Sequence, residues 1–161
     1  MTSTVEQAMV RVDGLRVHFP IRRGLFRRQV GAVRAVDGVS FQIPRGRTLG
    51  LVGESGCGKT TVGRGILRLV EPTAGSVEVA GTDVCAVSGA KLRALRRRMQ
   101  IVFQDPYGSL NPRMTVRRIL EEGLLIHGLG DAAARLRRIE TSLDRTGMPA
   151  TALDRYPHEF S

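Results

Sequence analysis

A chain of 161 residues and 17.6 kDa, with 42% hydrophobic and 25% charged residues, has the makeup of a globular domain able to bury a sizeable core. Its formal net charge of +10 is carried almost wholly by arginine, Lys59 and Lys91 being the only lysines. No apolar run approaches the roughly 20 residues of a membrane span, and the N-terminus lacks the basic start and apolar block of a secretory signal, so the chain reads as cytoplasmic.

Residues 9–18 and 33–43 alternate apolar and polar positions, are rich in valine and are broken by Asp-Gly pairs, which predicts two strands. The basic stretch between them, FPIRRGLFRRQVGA, reads as a loop. After a turn at 43–48, residues 49–52 (LGLV) predict a short buried strand, and 59–70 an amphipathic helix with Val62, Ile66 and Leu69 on one face. Pro72 disfavours helix at the residue before it. Residues 74–84 read as a strand pair around Gly81. Ser88 can cap a helix over 89–97. Residues 99–103 (MQIVF) predict another strand, running into a loop fixed by Pro106, Gly108 and Pro112. From there the pattern is helical: 115–127 and 131–146, with Thr115 and Asp131 as caps and Leu136, Ile139 and Leu143 sharing a face. The arginine clusters, at 21–28, 92–100, 117–118 and 135–138, read as solvated faces. Aromatic residues are 4% of the chain and do not interleave with them, so no nucleic-acid partner is expected. Cys57 and Cys85, the only cysteines, read as free thiols.

One segment carries chemistry. Gly53-Glu54-Ser55-Gly56-Cys57-Gly58-Lys59-Thr60 fits G-x-x-x-x-G-K-[ST], between a predicted strand and a predicted helix. Triphosphate oxygens need several backbone N–H groups at once, and glycines let the chain curl close enough to supply them. The helix N-terminus adds its dipole and free N–H groups. Lys59 brings a positive charge to the β- and γ-phosphates of ATP, the Thr60 hydroxyl offers an oxygen to Mg²⁺, and Thr61 adds one more donor. Cys57 is a variable position whose thiol would lie near the phosphates. The guanine-reading motif Asn-Lys-x-Asp is impossible, because the sole asparagine, Asn111, precedes Pro112. A RecA-like or helicase reading gains only from the basic clusters.

The stretch VDGVSFQIPRGRTLGLVGESGCGKTTVGRGILRLVEPTAGSVEVAG, followed by RRRMQIVFQDPYGSLNPRMTV, resembles the nucleotide-binding subunits of ABC transporters. The block FQDPYGSLNPR narrows the resemblance to the ATPases of oligopeptide and dipeptide importers, and the basic FPIRRGLF insert to the second of their paired ATPases. The resemblance runs from about residue 10 to residue 161. It implies an α/β fold: a P-loop NTPase core of ABC type with an N-terminal antiparallel β-subdomain and a partial helical subdomain. The division would be 1–112 for the core with the Q-loop and 113–161 for the helical part. Gln104 would be the Q-loop glutamine, reaching Mg²⁺ and the attacking water, and Phe19 the aromatic that stacks on adenine. Partners would be membrane subunits, a second ABC ATPase and, indirectly, a substrate-binding protein, with the chain peripheral on the inner face of the cell membrane.

The same resemblance makes Ser161 the serine of the signature motif and places the acidic strand, the catalytic Glu and the switch histidine beyond the sequence. None of the seven aspartates follows four apolar residues, and His18, His127 and His158 sit elsewhere. The chain is therefore expected to be the truncated N-terminal part of an importer ATPase, inactive in hydrolysis alone and marginal in stability. Two alternatives stand beside it: a short regulatory module that binds nucleotide without turnover, and a P-loop protein that binds nucleic acid through its arginines.

Overall fold

The computed structural model describes residues 8–24, 28–105 and 108–160; Pro106 and Ser161, singled out above, lie outside them. The chain forms two compact units, Met1–Gln100 and Ile101–Ser161.

The first unit is built on an antiparallel sheet of order β2-β1-β3-β4, with β1 at Ala8–Arg23, β2 at Arg28–Pro44, β3 at Ala74–Val79 and β4 at Thr82–Asp83. Valine-rich alternation turns one face inward, so Val12, Leu15, Val17, Val36, Val77 and Val79 are all buried. Helix α1 (Lys59–Ile66) covers that face with Val62, and Leu95 of α2 (Gly89–Arg96) joins the same core. Gly65 sets the closeness of α1 to β1: a Cβ there would touch Leu15 and Val17, each at 3.5 Å.

The second unit holds α3 (Val116–Ile126), α4 (Ala132–Arg145) and two 3₁₀ turns, Ala150–Asp154 and Pro157–Glu159. Ile139, Leu143 and Leu153 form its core, with Leu124, Leu136 and Met148 packed against them. Arg135 donates to Glu121 at 2.9 Å, tying α4 to α3. Asp131 caps α4 by accepting the Ala134 N–H at 2.8 Å. Among the described residues no helix is long and apolar enough to cross a membrane.

Several expectations change. Within the stretch predicted as a loop between the first two strands, residues 19–23 and 28–32 continue the β1–β2 ladder, from Phe19↔Val33 to Arg23↔Arg28. Residues 49–52 and 99–103 form no strand. Leu49, Leu51 and Val52 are 44%, 45% and 91% exposed, and Ile101, Val102 and Phe103 are 37%, 90% and 46% exposed. An apolar strand needs neighbours on both edges, and the described sheet is antiparallel and offers them none. Helix α1 ends at Ile66 rather than near residue 70, because Arg68 turns left-handed at φ 50°. Its side chain holds that turn: the guanidinium donates to Glu71, to the Val84 carbonyl at 3.0 Å and to the Val87 carbonyl, while Arg96 donates to the Arg68 carbonyl at 2.8 Å. The hydrogen bond to Glu71 pushes the Arg68 pKa up, and the same bond pushes Glu71 down.

Candidate functional site

Residues 53–58 make the turn between residues 49–52 and α1, and Lys59, Thr60 and Thr61 open the helix. Three backbone positions give the turn its shape. Gly56 and Gly58 have φ values of 84° and 96°, which side chains resist. A Cβ on Gly53 would meet the Cys57 sulfur at 2.7 Å, and a Cβ on Gly58 would run into the carbonyl oxygen of Ala35 in β2. Glycine is thus required at 56 by its backbone angle, and at 58 by both its angle and the close approach of the hairpin. Gly58 is the N-cap of α1, and the first helical bond is donated by Val62 N–H to the Gly58 carbonyl at 2.9 Å. The N–H groups of Lys59, Thr60 and Thr61 belong to the first turn and have no intrahelical acceptor, which leaves positive potential at the loop.

Lys59 reaches back across the loop. Its Nζ donates to the Gly53 carbonyl at 2.7 Å and the Glu54 carbonyl at 2.6 Å, and lies 3.5 Å from Cys57 Sγ. Cys57 N–H donates to the Glu54 carbonyl at 3.3 Å, closing a small turn. Two carbonyls are thereby turned toward the ammonium. Glu54, Ser55, Cys57 and Thr60 are exposed, while Lys59 and Thr61 are half-buried. The donor set is an ammonium, a run of helix-start N–H groups and two threonine hydroxyls, which suits an anion with several oxygens.

Phe19 lies on β1 opposite Val33, and it is 43% exposed. Ala35, whose carbonyl abuts Gly58, follows two residues later in β2, about 7 Å along the strand. Phe19's cross-strand partner Val33 is thus two residues from the point at which the hairpin meets the glycine turn. Gln104 belongs to the second unit, exposed on the segment before Asp105, whose carboxylate accepts the Gly108 N–H at 2.9 Å. Among the described residues no cluster of three or more His, Cys, Asp or Glu could hold a metal ion. Sequence reasoning missed Ala35: the loop's nearest backbone neighbour carries no chemical signature of its own.

The family model for the ABC transporter matches residues 36–161. The chain is 46% identical over 162 aligned residues to the oligopeptide transport ATP-binding protein AppF of Bacillus subtilis, covering 100% of this chain and 49% of AppF. It is 47% identical to a putative peptide import ATP-binding protein of Brucella ovis, covering 97% of this chain and 47% of that protein. Similarity also extends to the glutathione import ATP-binding protein GsiA of Salmonella paratyphi A, at 47% identity over 96% of this chain and 25% of GsiA. The chain spans about half the length of the first two relatives. Among solved structures, the ADP- and phosphate-bound dimer of the ATP-binding cassette MJ0796 superposes with a TM-score of 0.73 at 24% identity, covering 95% of this chain and 63% of that one. CbiO1 of Clostridium perfringens, part of the ABC transporter complex cbiONQ, gives 0.71 at 22% identity, with 97% and 57% covered. These two likenesses concern the fold.

Proposed function

The chain belongs to the ABC transporter family, and from that premise we propose that residues 53–61 bind the triphosphate of ATP, as the N-terminal part of an ATPase that drives uptake of oligopeptides or dipeptides. The observation that carries the reading is the Lys59 ammonium held across a glycine-shaped turn at the start of α1. On this reading the ammonium exchanges carbonyl partners for β- and γ-phosphate oxygens. The N–H groups of Gly58, Lys59, Thr60 and Thr61 hold the phosphates in place. Phe19 stacks on the adenine, helped by the contact between its hairpin and the loop.

The residues fit Mg²⁺ as a partner of the nucleotide rather than as a resident ion. The Thr60 hydroxyl, at the start of α1, is the oxygen proposed to meet it, and Gln104 is proposed as a second neutral ligand. When bound, the ion would spread the charge that develops on the transferring phosphoryl group. A neutral amide at Gln104 would also orient water without adding charge.

The importer assignment is supported by the family match and by the names of the relatives from Bacillus subtilis and Brucella ovis. Membrane subunits, a second ATPase and a position on the inner face of the membrane belong to the same proposal, as does the division at residue 112. The test is ATP binding by isothermal titration with and without Lys59→Ala. Hydrogen bonds from a charged group contribute about 1.5–3 kcal/mol each, so the variant should bind ATP at least about tenfold more weakly. Equal affinity in the two proteins would remove the assignment.

A further inference from the structure

Among the described residues, the distal half of the β1–β2 hairpin pairs with no third strand. Pairing of β1 with β3 stops at Arg16↔Ala74, and beyond it β1 and β2 pair only with each other. Every described residue from Phe19 to Gly24 and from Arg28 to Arg34 is exposed, on both faces of the ribbon. An isolated two-stranded ribbon is marginal in water, and this one runs about 16 Å from Phe19 to Gly24. Its composition is one-sided. Residues 19–34 contain five arginines, at 22, 23, 27, 28 and 34, and no acidic residue. Arg34 is engaged with Asp37 at 3.3 Å. None of the ion pairs among the described residues involves Arg22, Arg23 or Arg28. Beside these charges stand exposed aliphatic side chains, Ile21 at 41% and Val30 at 59%.

We propose that this distal ribbon, through Arg22, Arg23 and Arg28, is a docking element for an anionic phospholipid surface. Three arginines without acidic partners match the phosphates of lipid headgroups, and each basic residue close to an anionic surface raises partitioning roughly fivefold. Ile21 and Val30 match the boundary between headgroup and acyl chain, where arginine stems also bury their methylenes. Nucleic acid would satisfy the guanidinium groups but gives aliphatic side chains nothing to pack on, and the interleaving of the two residue types is what selects a bilayer. The proposal is independent of nucleotide binding at residues 53–61.

The test is co-sedimentation of the full chain with vesicles of equal parts phosphatidylglycerol and phosphatidylcholine, against vesicles of phosphatidylcholine alone. The expected result is binding to the anionic vesicles only, weakened by salt. Binding should fall at least about tenfold in Arg22→Gln/Arg23→Gln/Arg28→Gln. It should be kept in Arg22→Lys/Arg23→Lys/Arg28→Lys. A matched control, Arg137→Gln/Arg138→Gln/Arg145→Gln, removes the same charge from exposed positions on α4 and should leave binding within about twofold, as a site-specific element requires. Equal losses in the hairpin and α4 variants would mean that overall charge does the binding, and would overturn the proposal. So would undiminished binding in the hairpin glutamine variant, equal binding to neutral vesicles, or arginine-dependent capture of duplex DNA without vesicle binding. Far-UV circular dichroism confirms that each variant is folded, which exposed Arg→Gln changes should permit.

Discussion

Ser88, Thr115 and Asp131 look alike in the sequence: each is a small polar residue just before a helical run. All three occupy N-cap positions with extended backbone, but only Asp131 makes the cap bond; Ser88 and Thr115 make none. The stability cost of removing each side chain should divide the same way. Asp131→Ala is expected to lower stability by about 1 kcal/mol, whereas Ser88→Ala and Thr115→Ala should stay within about 0.3 kcal/mol of the parent in urea melts. A cap's position is legible because it depends on backbone periodicity and side-chain type. Whether the hydroxyl closes on the N–H depends on a rotamer, which no spacing encodes. The glycine turn was legible for the opposite reason, since its shape is fixed by backbone and its lysine by chemistry. Arg68 was invisible: nothing about an arginine in a helical run announces a left-handed φ held by bonds to residues 71, 84 and 87.

At the scale of elements, local patterning located every strand and helix whose partners lie close by in the fold. Strands β3 and β4 and helices α2, α3 and α4 fall within one or two residues of expectation. The distal hairpin reads as a loop because arginines and glycines between residues 20 and 32 carry turn signals, yet cross-strand pairing continues to Arg23↔Arg28. Its middle is pinned by Asp37, which accepts from His18 Nε2 at 3.0 Å and Arg34 at 3.3 Å, with Arg16 at 3.7 Å. The His18 hydrogen bond, joined by the charges of His18 and Arg34, outweighs desolvation and holds the Asp37 carboxyl below its ordinary range. Folding therefore gains from the ionised carboxylate above the unfolded value, about pH 3.9, and loses that gain as pH falls through the depressed folded value. Asp37→Asn should make thermal stability fall less steeply with acid below about pH 4 than it does in the parent. Parallel acid curves for the two proteins would show that the cluster is too well solvated to matter.

Over the whole molecule, a valine-rich core in the first unit and an Ile139–Leu143–Leu153 core in the second leave two apolar segments uncovered, at 49–52 and 101–103. Both have the composition of strands and neither has a strand to pair with among the described residues. The chain spans about half the length of AppF. A strand's existence is a property of its neighbours as well as of its residues, so these two stretches read in isolation predict a pairing that the described residues do not supply. In water such segments invite self-association. The 161-residue chain should bind the dye ANS and sediment as a concentration-dependent mixture, and Val52→Lys or Val102→Lys, each at a position about 90% exposed, should reduce both signals without loss of helix content. A sharply monomeric parent with no dye binding would contradict this.

The glycine at position 58 has one more effect. Because it lacks a side chain, the Ala35 carbonyl of β2 stands in the volume a methyl group would fill. A side chain at position 58 would have to displace either β2 or the loop, so the spacing of hairpin and glycine turn is set by the absence of one methyl group.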